Sequence, residues 1–243
     1  MLIPKKIEPE LQGLQEKLEE KLGKNLICLI LYGSWAKGTA RDDSDIDMLV
    51  VLDKLDDDVR RTINEVEKEI ETEIEPWRSI TLVPAIVEEF KLEKIPLFTV
   101  IKREGLILHG NIDLTINPEM PHIKYAEYFE KSREFESRKV EMAEEILRDH
   151  PDFDVTDLCF IASKHAIQMA LAMKGRGYSS KVSVLLPLAG KYIDEGTAER
   201  FKRLFDLYVK SEYRTESLTA EEAKACIEHA KEILKVCYSI PSK

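Results

Sequence analysis

The spacing of apolar positions changes several times along the chain, and each change marks an element. Leu11, Leu14, Leu18 and Leu22 recur three to four residues apart, which predicts an amphipathic helix over 9–22 with Gly23 placed to end it. Leu26-Ile27-Cys28-Leu29-Ile30-Leu31 is then a continuous apolar run of strand length, and Met48-Leu49-Val50-Val51-Leu52 is a second. Helical spacing returns over 56–73 at Val59, Ile63, Val66 and Ile70, and the acidic residues between them read as a solvated face. The stretch 79–87 reads as a strand. Pro84 within it has no N–H to give to a ladder, so it points to a sheet edge or a bulge. A helix over 96–104, closed by Gly105, and a short strand over 106–109 complete this half.

Asn117-Pro118-Glu119-Met120-Pro121 interrupts the pattern, because two prolines disfavour regular structure across it. Everything beyond it has helical spacing, in segments over 122–149, 157–174, 181–193, 198–213 and 220–240. The second of these carries an alanine-rich stripe that allows close helix packing. Thr219 and Glu222 have the spacing of a capping box for the last. Helices joined by short turns predict an up-and-down bundle. The expected organisation is a first domain over 1–116, a linker over 117–122 and a helical domain over 123–243.

Between the first two apolar runs lies the stretch with the most chemistry, Tyr32-Gly33-Ser34-Trp35-Ala36-Lys37-Gly38-Thr39-Ala40-Arg41-Asp42-Asp43-Ser44-Asp45-Ile46-Asp47. On a strand, residues two apart share a face, so Asp45 and Asp47 point the same way while Ile46 and Met48 point inward. Two neighbouring carboxylates repel unless a cation lies between them, and hard oxygen ligands suit Mg²⁺. Gly33 permits a tight corner and a close ligand approach. Ser34 is expected to cap a short helical turn over 35–37, whose free N–H groups would bind phosphate oxygens. Lys37 and Arg41 add positive charge nearby. Taken one at a time, these residues are ordinary turn and strand-end residues; the order and spacing are what point to phosphate chemistry.

This stretch resembles the nucleotidyltransferase signature of the DNA polymerase beta superfamily: Gly33-Ser34, a ten-residue gap, then Asp45-Ile46-Asp47-Met48. It is closest to the minimal nucleotidyltransferases, and Arg103-Glu104-Gly105-Leu106-Ile107-Leu108 is similar to the close of such domains. Trp35 stands where Arg is often found. The helical half resembles the HEPN domain, through Ala162-Ser163-Lys164-His165-Ala166-Ile167, the glycines that follow, and Leu218-Thr219-Ala220-Glu221-Glu222-Ala223. Together these resemblances imply an α/β (α+β) nucleotidyltransferase domain with a mixed sheet, followed by an all-α helical bundle.

The resemblance implies Mg²⁺-dependent transfer of a nucleoside monophosphate, AMP from ATP, to a hydroxyl of a small molecule or a protein. Asp45 and Asp47 would be catalytic and would hold one or two Mg²⁺ ions. Gly33, Ser34, Lys37, Arg41 and Ser44 would handle nucleotide and phosphate. Superfamily members carry a third carboxylate on the next strand. No Asp or Glu occurs over 80–87, and Glu75, Glu88 and Glu89 only flank it. The alternative is therefore a catalytically weak nucleotide-binding or protein-interaction module of a toxin–antitoxin-like assembly. Ribonuclease-type HEPN domains carry an Arg, four to six intervening residues and then a His, a spacing missing from the helical half, so RNA cleavage is not expected. The base, the acceptor and the oligomeric state stay open, a homodimer among the options.

Composition narrows the partners. The 243 residues carry a formal net charge of −10, which argues against an extended nucleic-acid or anionic-membrane footprint. Cys28, Cys159, Cys226 and Cys237 are scattered among apolar residues without a Cys-x-x-Cys pair, the pattern of reduced core thiols in a cytoplasmic protein. No apolar run reaches membrane-spanning length. The five histidines show no ligand spacing, and His165 reads as a hydrogen-bonded structural residue.

Overall fold

A computed structural model describes residues 5–73, 79–214 and 216–240. Contacts divide the chain into two compact units, Met1–Pro118 and Glu119–Lys243.

In the first unit, α1 (Glu8–Leu22) leads to β1 (Leu26–Tyr32), then α2 (Gly33–Ala36), β2 (Ile46–Leu52), α3 (Asp57–Glu73), β3 (Ile80–Ile86), α4 (Val87–Lys91), α5 (Pro96–Glu104) and β4 (Leu106–Gly110). Among the described residues the strands form one four-stranded sheet in the order β3-β2-β1-β4. β1 runs antiparallel to β2 and β4, whereas β2 and β3 are parallel. The sheet is therefore mixed, and α3 supplies the long crossover that a parallel pair requires.

Both faces of the sheet are buried, which is why β1 and β2 read as unbroken apolar runs rather than alternating ones. Leu29, Leu31, Met48, Val50 and Leu52 face α1 and α3, packing with Leu14, Leu18, Ile63 and Val66. The alternate residues Cys28, Ile30, Leu49 and Val51 pack with Phe90 of α4 and with Phe98 and Ile101 of α5. The expected strand over 79–87 ends one residue sooner, at Ile86, because Val87 already opens α4.

β3 is an edge strand, as Pro84 indicated. Its outward N–H groups at Ile80 and Leu82 do not face water. Glu71 Oε1 accepts from Ile80 at 2.8 Å and Glu67 Oε2 accepts from Leu82 at 2.8 Å, while Pro84 has no N–H to satisfy. The acidic face of α3, expected to be solvated, is thus partly spent on closing the sheet edge. A second buried polar cluster ties down the segment after β4. Glu93 and Lys102, both buried, pair at 3.1 Å. Lys102 also donates to the carbonyls of Lys91 and Thr115, and Glu93 accepts from Thr99 and from Asn117 N–H.

The second unit is helical: α6 (Pro121–Lys124), α7 (Ala126–Asp149), α8 (Thr156–Met173), α9 (Val182–Tyr192), α10 (Glu195–Glu212) and α11 (Ala220–Tyr238). The helix expected over 122–149 breaks at Tyr125 into α6 and α7. α8 is central and packs against α7, α9, α10 and α11. Ala162, Ala166 and Ala170 on it are fully buried, which is what the alanine stripe allows. Thr219 and Glu222 form the capping box reciprocally at the start of α11. His165 Nδ1 lies 2.9 Å from Glu136 Oε1, a carboxylate that Lys139 also pairs at 2.9 Å. All four cysteines are free and buried. Burial pushes the thiols up, Cys28 to about 11 and Cys226 to about 12, so they are inert core residues. No helix among the described residues is long and apolar enough to cross a membrane.

Candidate functional site

β1 carries the chain out of the sheet at Tyr32, whose Cα partner on β2 is Asp47. The chain turns at Gly33, which has φ +74°, a backbone that side-chain-bearing residues rarely adopt. A Cβ built at Gly33 would overlap Asp47 Oδ2. Glycine is required here twice over, for the left-handed corner and for the space that the Asp47 carboxylate fills.

The helical turn after the corner starts at Gly33 rather than at Trp35, and no side chain caps it. The expected capping role of Ser34 is therefore not realised. With the corner placed on Gly33, Ser34 is already inside the turn, where its hydroxyl cannot reach back to the N–H groups a cap serves. The first N–H groups of the turn have no intrahelical acceptor by construction. Ser34 instead contributes its carbonyl, which accepts from Thr39 N–H at 3.0 Å.

Loop 37–45 is folded on itself. Trp35, almost entirely buried, donates Nε1–H to the Ser44 carbonyl at 3.0 Å. Ser44 Oγ accepts from Arg41 N–H at 2.8 Å, and Ser44 N–H donates to the Arg41 carbonyl at 3.1 Å. Ser44 therefore shapes the return of the loop, with its own hydroxyl proton left to donate. Arg41 lies at the exposed end of this turn. The large indole at the position where an arginine was expected serves as a buried peg for the loop.

Asp45 immediately precedes β2 and is exposed, while Asp47 lies in the strand and is half-buried. Ile46 and Met48 are fully buried, so the alternation predicted for this stretch holds. Burial, and after it the charge of Asp45, pushes the Asp47 carboxyl above the usual carboxylate range. The smaller part, the like charge of Asp45, is one that a cation between the two carboxylates would offset. Among the described residues no group of three or more His, Cys, Asp or Glu is arranged to hold a metal.

The register of β3 shows what stands beside the pair. Thr81 is the Cα partner of Asp47, and Val83 and Ala85 follow on the same face opposite Leu49 and Val51. The described part of this strand thus offers a hydroxyl where a third carboxylate would be sought. Glu88 and Glu89 are exposed in α4, with Glu88 paired to Lys91 at 3.1 Å. Glu75 lies outside the described residues.

Lys37 does not extend freely into solvent. Its Nζ sits 2.7 Å from Glu104 Oε2 at the end of α5, and Arg103 Nη2 donates to the other Glu104 oxygen at 3.0 Å. Partial burial works to raise the Glu104 carboxyl, but Lys37 and Arg103 outweigh it and hold it below the usual range. The sequence contains the Arg103-Glu104-Gly105 stretch but no spacing rule that would couple it to Lys37, far earlier in the chain. The structure thus gathers Gly33, Ser34, Asp45 and Asp47 at one corner. It sets Lys37 on Glu104 and keeps Arg41 and Ser44 in the loop between.

Comparison with known proteins gives the following. The family model described as "Polymerase beta, Nucleotidyltransferase" matches residues 12–108, and the "HEPN domain" model matches residues 137–240. A proposed protein adenylyltransferase from Methanocaldococcus jannaschii is 48% identical over 40 residues, which are 16% of this chain and 27% of that protein. The match thus spans about a quarter of the curated relative. The crystal structure of the spectinomycin adenyltransferase AAD(9) from Enterococcus faecialis with ATP and spectinomycin is similar in fold, with a TM-score of 0.50 at 18% identity. That likeness covers 93% of this chain and 98% of that one. A toxin-antitoxin structure with AMP-PNP covers 56% of this chain and 97% of its own, with a TM-score of 0.31 at 17% identity.

Proposed function

This chain joins a polymerase beta-type nucleotidyltransferase domain to a HEPN domain, and from that premise we propose that it transfers AMP from ATP to a hydroxyl group of a small molecule or a protein. In that transfer the acceptor oxygen bonds to the α-phosphorus, the α–β phosphoanhydride bond breaks, and pyrophosphate leaves with the electron pair. The observation that carries the reading is that Asp47 Oδ2 fills the place a Cβ on Gly33 would take, with Asp45 two residues before it. It sets a pair of hard oxygen donors against a backbone corner able to meet phosphate.

The donor set fits Mg²⁺. The Asp47 carboxyl is raised by burial and, after it, by the charge of Asp45, and oxygen ligands suit this ion. Asp45 and Asp47 would hold one or two Mg²⁺ ions. When bound, the metal would offset charge on the transferred phosphate and acidify the acceptor hydroxyl. The chain's own residues would do the rest by positioning. The N–H groups of the Gly33–Ala36 turn and the Ser34 hydroxyl would receive the departing phosphates. Lys37 and Arg41 would neutralise them, and Ser44 would keep the loop closed over them. The Methanocaldococcus relative supports a protein hydroxyl as acceptor, and the fold shared with the spectinomycin enzyme supports a small-molecule one.

A second reading has its own support. Thr81 is the β3 residue opposite Asp47, so that strand brings no carboxylate to take the acceptor proton, and general-base help contributes about 10²–10⁴-fold in rate. On this reading the chain is a nucleotide-binding module with little turnover. Incubation with labelled ATP, Mg²⁺ and candidate acceptors separates the two. Label on an acceptor, lost in Asp45→Asn and Asp47→Asn, is the outcome expected for transfer. Mg²⁺-dependent ATP binding without label on any acceptor would mean the module.

A further inference from the structure

We propose that Glu104 is a positioning residue for nucleotide binding: it holds Lys37 so that the ammonium group meets the triphosphate already oriented. The proposal rests on the nucleotide-binding reading of the Gly33–Ser34 corner and adds to it a residue outside the signature stretch.

Three observations carry it. First, β1 and β4 are antiparallel with Leu31 opposite Leu106. The end of α5, which leads into β4, and the corner that follows β1 therefore lie at the same end of the sheet. Asp47 meets the corner at Gly33 from β2, and Glu104 meets Lys37 from the end of α5. Second, Lys37 ends the turn that opens at Gly33, its N–H donating to the Gly33 carbonyl at 3.3 Å. Its side chain is held by Glu104 at 2.7 Å. The backbone of this lysine is thus tied to the corner and its side chain to the end of α5. Third, Glu104 is only 25% exposed whereas Lys37 is 45% exposed. The carboxylate is the anchored partner, and the ammonium keeps an open side for a second anion.

A lysine carries three donors on a stem with many rotamers. Left free, it loses that freedom when it binds phosphate. Held by Glu104, it has lost much of it already and still has donors to give, so the gain appears as nucleotide affinity. A purely structural ion pair would serve the fold instead, and partly exposed pairs of this kind serve it little.

The test measures binding of Mg²⁺·ATP and of adenosine by calorimetry, with the thermal midpoint as a fold control. The proteins are the full chain, Glu104→Gln, Lys37→Met, the double variant and Asp47→Asn. Glu104→Gln is expected to weaken ATP binding about tenfold, as expected when pre-organisation is lost, with adenosine affinity and the midpoint unchanged. In the Lys37→Met background, Glu104→Gln is expected to change nothing further, since the two act as one unit. Unchanged or tighter ATP binding in Glu104→Gln would overturn the proposal. So would a loss shared by adenosine, or one that persists without Lys37. A wild-type chain that binds no ATP, or an Asp47→Asn chain that binds it as well as wild type in Mg²⁺, would instead overturn the nucleotide reading of the corner.

Discussion

The Asp47 carboxylate occupies the volume that a side chain at Gly33 would need. Gly33 opens the turn after β1 and Asp47 lies in β2, yet each fixes what the other can be. Gly33→Ala would force an alanine into φ +74° and against Asp47 Oδ2. The expected result is a stability loss of about 1–3 kcal/mol from backbone strain, read by urea denaturation, together with loss of Mg²⁺-dependent ATP binding. A Gly33→Ala chain with wild-type ATP affinity would show that the close contact has no part in the site.

The raised Asp47 carboxyl makes a statement about pH. In the folded chain it holds its proton to a higher pH than in the unfolded chain, so the folded state binds more protons over that window. Stability from this group is then full below the ordinary aspartate value of 3.8 and falls as pH rises through the folded value. Asp47→Asn is therefore expected to raise the thermal midpoint of the metal-free protein at pH 7, with the gain disappearing toward pH 3. A gain that is the same at both pH values would mean that the substitution acts by something other than charge.

Added Mg²⁺ should relieve the same repulsion. In chelator-treated protein, Mg²⁺ with ATP is expected to raise the midpoint of the wild-type chain and leave the Asp45→Asn/Asp47→Asn double variant where it was. Equal shifts in both proteins would place the effect of the ion elsewhere.

Glu71 closes the edge of β3 by accepting from Ile80 N–H and from the Ser79 hydroxyl at 3.0 Å. Glu71→Ala removes Oε1, the acceptor of both bonds. The expected cost is about 1–3 kcal/mol for the stranded donors. Self-association is also expected to increase, because an uncovered edge can pair with another. Sedimentation velocity reads the second effect, and an unchanged monomer fraction would argue that the edge is protected by other means.

Glu93 and Lys102 form an ion pair whose two side chains are both essentially excluded from solvent, at 0% and 3% exposure. Lys102→Met leaves a buried carboxylate facing Asn117 and Thr99 without its counter-charge. Breaking such a pair from one side costs about 3–5 kcal/mol, which a shift in the urea midpoint would show. Limited proteolysis should then cut first between β4 and residue 117, the segment that Lys102 and Glu93 hold down.

Much of this molecule is settled by short-range pattern. Apolar runs of strand length placed β1 and β2, leucines three and four apart placed α1, and Thr219 with Glu222 announced the start of α11. Asp45, Ile46 and Asp47 alternate because any extended backbone makes them alternate, so the facing carboxylates could be read without a fold. What the tertiary structure decided are relationships between residues far apart in the chain. Lys37 meets Glu104 because β4 returns beside β1. Glu67 and Glu71 meet β3 because α3 packs along the sheet, which turned an acidic face that looked solvated into an edge cover. Even Ser34 depended on this level: Asp47, arriving on the neighbouring strand, fills the space beside Gly33 and leaves that corner to glycine, and with the turn starting there the serine lies one place too late to cap it. Backbone geometry repeats every two or 3.6 residues and so is legible locally, whereas charge pairs and close contacts depend on which strands lie side by side.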